Sequence, residues 1–218
     1  MNGALRGLTI GLALSATSSV GAQSPTRPAP ATAAQIQARQ QVAAFEGALE
    51  NAVRQGAQML NQRLQQSNTD NMVMLAGLTR ARGFRLDDYG VVFDVEFPSM
   101  RRSMVWSIQE LERTNAGRAV KASEFTPAVR PREIYQTEIA TALVNAIVDY
   151  PGAIGVGAGE WLTVAARESV LDRRSLSGDP NDTAITVILR IKGSDLQALR
   201  DHSLTREEGL TRVDVKQY

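Results

Sequence analysis

Two stretches of this chain alternate apolar and polar residues with a period of two, which calls for a sheet with one buried face. In 90–97, Val91, Phe93, Val95 and Phe97 fall on one side and Asp94 and Glu96 on the other. In 183–192, Ile185, Val187, Leu189 and Ile191 share one side, against Thr186, Ile188, Arg190 and Lys192. Successive strand side chains point to opposite faces, so each stretch describes a half-buried strand. Trp161 to Val170 reads as the strand before the second, with the polar run Asp172 to Asp182 as the hairpin loop between them. Met72 to Thr79 is expected to be extended and to form a hairpin with 90–97. Arg82-Gly83 and Asp87-Asp88-Tyr89-Gly90 supply turn residues between these two. Arg212 to Tyr218 reads as a closing strand.

A half-buried sheet needs a cover. Pro131 to Tyr150 supplies it: Pro sits at a tolerated first-turn position, and Tyr135, Ile139, Leu143, Ala146 and Tyr150 recur at helical spacing before Pro151-Gly152 ends the run. A second, longer helix is expected over 33–66, where Phe45, Leu49, Val53, Leu60 and Leu64 form a narrow stripe with Ala57 filling the missing step. Two fates are open to that helix: lying on the domain, or standing out as an arm that pairs with a second chain. Short helices are expected in Ser103–Arg113, after Ser194, and from Thr205, where Glu208 three residues on completes a capping box. Asn115 to Pro131 reads as a loop. The expected fold is α+β: a two-layer, mainly antiparallel sheet with helices on one face, preceded by a long N-terminal helix.

The first 22 residues read as a signal peptide. Arg6 charges a short n-region, Gly7 to Val20 is apolar, and Val20-Gly21-Ala22 places small residues before a cut at Gln23. Ser15, Thr17, Ser18 and Ser19 interrupt the apolar run before membrane-spanning length. The organisation expected is therefore a signal at 1–22, a Pro- and Ala-rich disordered leader at 23–32, the long helix at 33–68 and an α+β domain at 69–218. Residence in the periplasm or outside the cell follows, with no transmembrane segment after cleavage. The chain has no cysteine, so neither disulfides nor an acylated N-terminal Cys is available, and stability must come from a packed core.

Few residues point to chemistry. His202 is the only histidine, in the polar junction Arg200-Asp201-His202-Ser203, and no G-x-S-x-G elbow accompanies it. With no Cys and one His, a zinc site has no ligand set. A calcium loop counted from Asp179 has Ala184 in place of Gly and Arg190 in place of Glu. Gly155-Val156-Gly157-Ala158-Gly159 follows a helix instead of opening one, the reverse of a phosphate-binding loop. No catalytic residue, cofactor site or metal site is assigned.

Three functional readings follow. The first is a non-catalytic envelope protein that binds another macromolecule, or itself, through the long helix or the exposed strand edges. Arg80, Arg82 and Arg85 are its candidate contacts to an anionic partner; the net charge of +1 is no nucleic-acid signature. The second is a small-ligand binder with a pocket near Tyr89, Tyr135 and Trp161. The third is a carboxylate hydrolase using a pair among Asp87, Asp88, Asp94 and Glu96.

Overall fold

The structure, a computed structural model, describes residues 32–66, 73–102, 130–169 and 185–218. The signal and leader, the expected helix at Ser103–Arg113, most of the loop after it, and the calcium-like turn at Asp179 lie outside the described residues.

Helix α1 runs Ala33–Gln66, followed by strands β1 (Val73–Ala76), β2 (Arg80–Leu86), β3 (Gly90–Phe97) and β4 (Ser99–Arg102). Helix α2 (Pro131–Asp149) leads to β5 (Trp161–Glu168) and β6 (Thr186–Lys192), then α3 (Gly193–Arg200), α4 (Arg206–Arg212) and β7 (Asp214–Gln217). Five strands form one sheet in the order β2-β3-β5-β6-β7, and β1 and β4 form a separate two-stranded ribbon. Every pairing is antiparallel except β3 with β5. Those two are joined through α2, the kind of long crossover that a parallel pair requires.

The α+β fold expected from the alternation is present. Val91, Phe93, Val95 and Phe97 of β3, Leu162, Val164 and Ala166 of β5, and Val187, Leu189 and Ile191 of β6 are buried together under the helices. From above, α1 contributes Phe45, Leu49, Val53, Leu60 and Leu64, and α2 contributes Tyr135, Ile139, Leu143 and Ile147, all at most 1% exposed. Burying one such side chain is worth about 1.5–3 kcal/mol, so five of them hold α1 with about 7–15 kcal/mol. That rivals the ~5–15 kcal/mol of a whole domain. From Phe45 to Leu64 the helix is therefore core, and only its first two turns stand clear of the fold.

Three local expectations are corrected. Met72–Thr79 does not pair with β3: β1 pairs with β4 in the register Ala76↔Ser99. Ser99–Arg102 forms a ladder only in the separate ribbon, so β3 is ended by Pro98, as the alternation predicts. The Pro98 carbonyl accepts the Tyr135 hydroxyl at 2.8 Å. Arg82-Gly83 is no turn, and the hairpin partner of β3 is β2, turning at 87–89. Gly83 sits within the strand because a Cβ there would meet Phe93 at 2.3 Å and Val42 at 2.6 Å. Finally, Gly56 and not Ala57 completes the α1 stripe. A Cβ on Gly56 would press on Ile139 and the Glu138 carbonyl at 3.0 and 3.1 Å, so its absence sets the α1–α2 approach.

Candidate functional site

The polar sides of β2, β3, β5, β6 and β7 make up the second face of the sheet. No helix among the described residues covers it. Registers across the sheet arrange its side chains in rows, because directly opposed residues share a face. One row runs Leu86, Gly90, Trp161, Lys192, and the next Phe84, Val92, Thr163, Arg190, Asp214. Beyond them lie Arg82, Asp94, Ala165, Ile188, Lys216, and then Arg80, Glu96, Arg167, Thr186. Six cations thus face three carboxylates on one surface.

The two ends of this face differ. At one end, Arg167 grips Asp94 with two bonds of 3.2 Å and Glu96 with one of 2.8 Å. The hydrogen bonds to Asp94, and then the nearby negative charges, raise the Arg167 pKa further. Asp94 and Glu96 are therefore held in one ion-pair network by Arg167. At the hairpin end, the Arg190 guanidinium carbon lies 4.5 Å from the Trp161 ring centroid and the Lys192 ammonium 5.5 Å. Cations over an indole are attracted by the negative face of the ring. The Tyr89 hydroxyl bonds Thr163 Oγ1 at 2.7 Å beside them, and Phe84, 47% exposed, extends the apolar margin. The Nε of Arg190 is buried without a hydrogen-bond partner among the described residues.

Of the ligand-pocket residues, Tyr89 and Trp161 lie together on this open face. Tyr135 is on the covered side, fully buried edge-on to Phe97 at 5.7 Å. Burial first, and the charge of Glu168 second, push its hydroxyl pKa well above the ordinary value. A groove of about 370 Å³ does lie between α1 and β2, lined by Ala38, Val42, Glu46, Gly83, Arg85 and Ile154 among others. None of the three aromatic residues lines it.

The arginine cluster also divides. Arg80 and Arg82 point to the open face with no ion pair among the described residues, whereas Arg85 is occupied. Its guanidinium binds both Glu160 oxygens at 2.9 and 3.0 Å and also donates to the Gly155 carbonyl. Arg85 thereby clamps the glycine-rich loop. The same loop is fixed from the other side by the first turn of α3, whose Gly193 and Ser194 amides donate to the Glu160 and Ala158 carbonyls. These helix-end amides are already satisfied by the loop.

The Gly157 amide at 2.7 Å, and after it Arg85, hold the Glu160 carboxyl below its ordinary value of 4.5. A folded pKa below the unfolded one stabilises the fold above that unfolded value. The contribution is lost as pH falls through the folded pKa. Glu160→Gln is therefore expected to be less stable than the parent near pH 7, with the difference shrinking as the pH falls below 4.5, as read by urea unfolding at each pH. A gap that stays constant over this range would remove the carboxylate from the account.

His202 is exposed and adopts a left-handed φ of 57° where α3 ends, a helix-terminating position. Asp87 and Asp88 are exposed in the β2–β3 turn, with Asp88 at a φ of 60°. Among the described residues, no group of three or more His, Asp or Glu side chains converges as metal ligands, and no helix is long and apolar enough to cross a membrane. No protein-family model matches the chain, and comparison with curated proteins and solved structures returns no match.

The clustering of cations is not visible in the sequence. Arg82, Arg190, Lys192 and Lys216 come from three separate strands, and only the pairing register aligns them. One signal is available in principle: Arg190 and Lys192 occupy the polar phase of the β6 alternation.

Proposed function

We propose that this protein is an exported, non-catalytic binding module that captures a carboxylate-bearing polymer on the open face of its sheet. The observation that carries this reading is the Trp161–Arg190–Lys192 cluster, where two cations flank an indole ring on a sheet face that also exposes Phe84. A carboxylate supplies the negative charge that this pair of cations lacks, and its hydrogen bonds to charged donors are worth about 1.5–3 kcal/mol each. Lys216 on neighbouring β7 extends this positive cluster, and Arg82 adds a cation at the far edge on β2. A flat strip spanning several strands suits an extended chain better than a small molecule, which favours a concave site. Export, with Gln23 as the new N-terminus, is part of the same reading and rests on the n-, h- and c-region pattern.

The test is binding of the protein to a polyuronate and, in parallel, to polyglutamate, at several salt concentrations. Binding that weakens steeply with salt is expected. Arg190→Ala and Lys192→Ala are each expected to cost at least about tenfold, or ~1.4 kcal/mol, while unfolding stability stays near that of the parent. Preference for one polymer assigns the partner as glycan or acidic protein. Salt-insensitive or absent binding to both overturns the proposal.

A further inference from the structure

The two edges of the sheet are treated differently. On β2, the outward amides of Gly83 and Ala81 donate to Glu46 at 2.7 Å and Glu50 at 3.2 Å, so α1 covers that edge. On β7, nothing among the described residues pairs with the outer edge. We propose that this edge pairs with β7 of a second copy, joining two sheets edge to edge about a two-fold axis.

The hydrogen-bond phase shows which groups are free. Tyr218 and Thr186 exchange bonds of 2.9 and 3.1 Å, so they form a bonded pair of the antiparallel ladder. With the alternation of such ladders, Lys216 with Ile188 and Asp214 with Arg190 are bonded pairs too. Val215 and Gln217 therefore turn their N–H and C=O groups outward. All four residues of β7 are exposed, and the strand contains no proline to blunt its edge.

Charge selects the register. With Val215 opposite Val215 of the second copy, Asp214 faces Lys216 twice, once on each side of the axis. The neighbouring register, Val215 opposite Gln217, sets Lys216 against Lys216. Asp214-Val215-Lys216 is thus its own complement when reversed, which points to a second copy over a foreign strand. On the helix side, Val215 borders a groove lined by Ala140, Thr141, Val144 and Leu210. These short or apolar side chains leave room for the partner's Val215. The two open faces then become one surface ten strands wide.

The test is the oligomeric state of the full chain by sedimentation equilibrium. A concentration-dependent dimer is expected. Lys216→Asp and Asp214→Lys are each expected to weaken self-association at least tenfold, because each sets like charges against each other twice. Mixed together, the two variants restore complementarity at both positions and form a heterodimer. That result also shows that neither substitution acts by unfolding the chain. Val215→Pro, which removes only an outward N–H, is expected to give a folded monomer. A parent protein that stays monomeric up to about 100 μM, a range that covers ordinary weak dimers, overturns the proposal. So does a dimer indifferent to both charge reversals.

Discussion

Gly90→Ala is expected to destabilise the fold by about 2–6 kcal/mol, the sum of a strained backbone at about 1–3 and forced overpacking at about 1–3. Gly90 opens β3 with a φ of +127°, where side chains other than glycine are strained. It also lies against the neighbouring strand. A Cβ there would sit 2.2 Å from the Trp161 carbonyl oxygen and 2.8 Å from its nitrogen. Backbone, unlike the tip of a flexible side chain, cannot step aside. The contact occurs at the start of the parallel β3–β5 pairing, where the Trp161 amide donates to the Tyr89 carbonyl at 2.8 Å. The substitution therefore acts on the register that places Tyr89, Trp161 and Thr163 together. Urea unfolding measures the effect, with Gly159→Ala as the control. At Gly159 a methyl group would meet nothing within 4 Å, and the substitution should change stability by under about 1 kcal/mol. Equal losses at the two positions would refute the role given to Gly90.

The sheet and its cover are legible because they are written in short-range periodicity. The alternation of 90–97 and 186–192, the 3–4 spacing of Phe45, Leu49 and Val53, and the Thr205–Glu208 box each need only neighbouring residues to be recognised. The box closes as expected, with the Glu208 amide donating to the Thr205 hydroxyl and the Thr205 amide to the Glu208 carboxylate. Features set by long-range contact are not legible. Gly83 reads as a turn signal until the Phe93 ring and Val42 are known to occupy the space beside it. The β1–β4 pairing is hidden too, since nothing local in 73–76 or 99–102 names its partner. The open face is half legible. Its polar phase is readable strand by strand, but which polar residues become neighbours depends on register. That is why Arg85 reads as one group with Arg80 and Arg82, although the odd phase of β2 sends it to the other side. The same dependence hides Arg190 and Lys192 as partners of Trp161.

Replacing Glu46 and Glu50 together by alanine is expected to lower stability by about 3–6 kcal/mol, taking ~1.5–3 for each part-buried bond to a charged acceptor. It is also expected to make the protein aggregate. The match of the two elements explains the pairing. Residues four apart on a helix rise about 6 Å, and residues two apart on a strand about 6.6 Å. One helix turn can therefore present a carboxylate to each of two successive outward amides. Without them, Ala81 and Gly83 leave donors exposed on a sheet edge, a template for another strand. Glu46→Gln with Glu50→Gln keeps an acceptor oxygen but loses the charge, so it should fall between the parent and the alanine chain. Urea unfolding and light scattering read the two effects. Equal behaviour of the Gln and Ala chains would show that charge, not hydrogen-bond geometry, guards the edge. Unchanged stability in both would remove the latch altogether. The aggregate's form carries further information. A β7–β7 pair alone is closed by its two-fold axis, but a second adhesive edge on each copy makes assembly open-ended. In the alanine background, added Lys216→Asp should then cut long assemblies back to pairs joined through β2. The helix α1 would thus act both as core and as the element that stops growth at two copies.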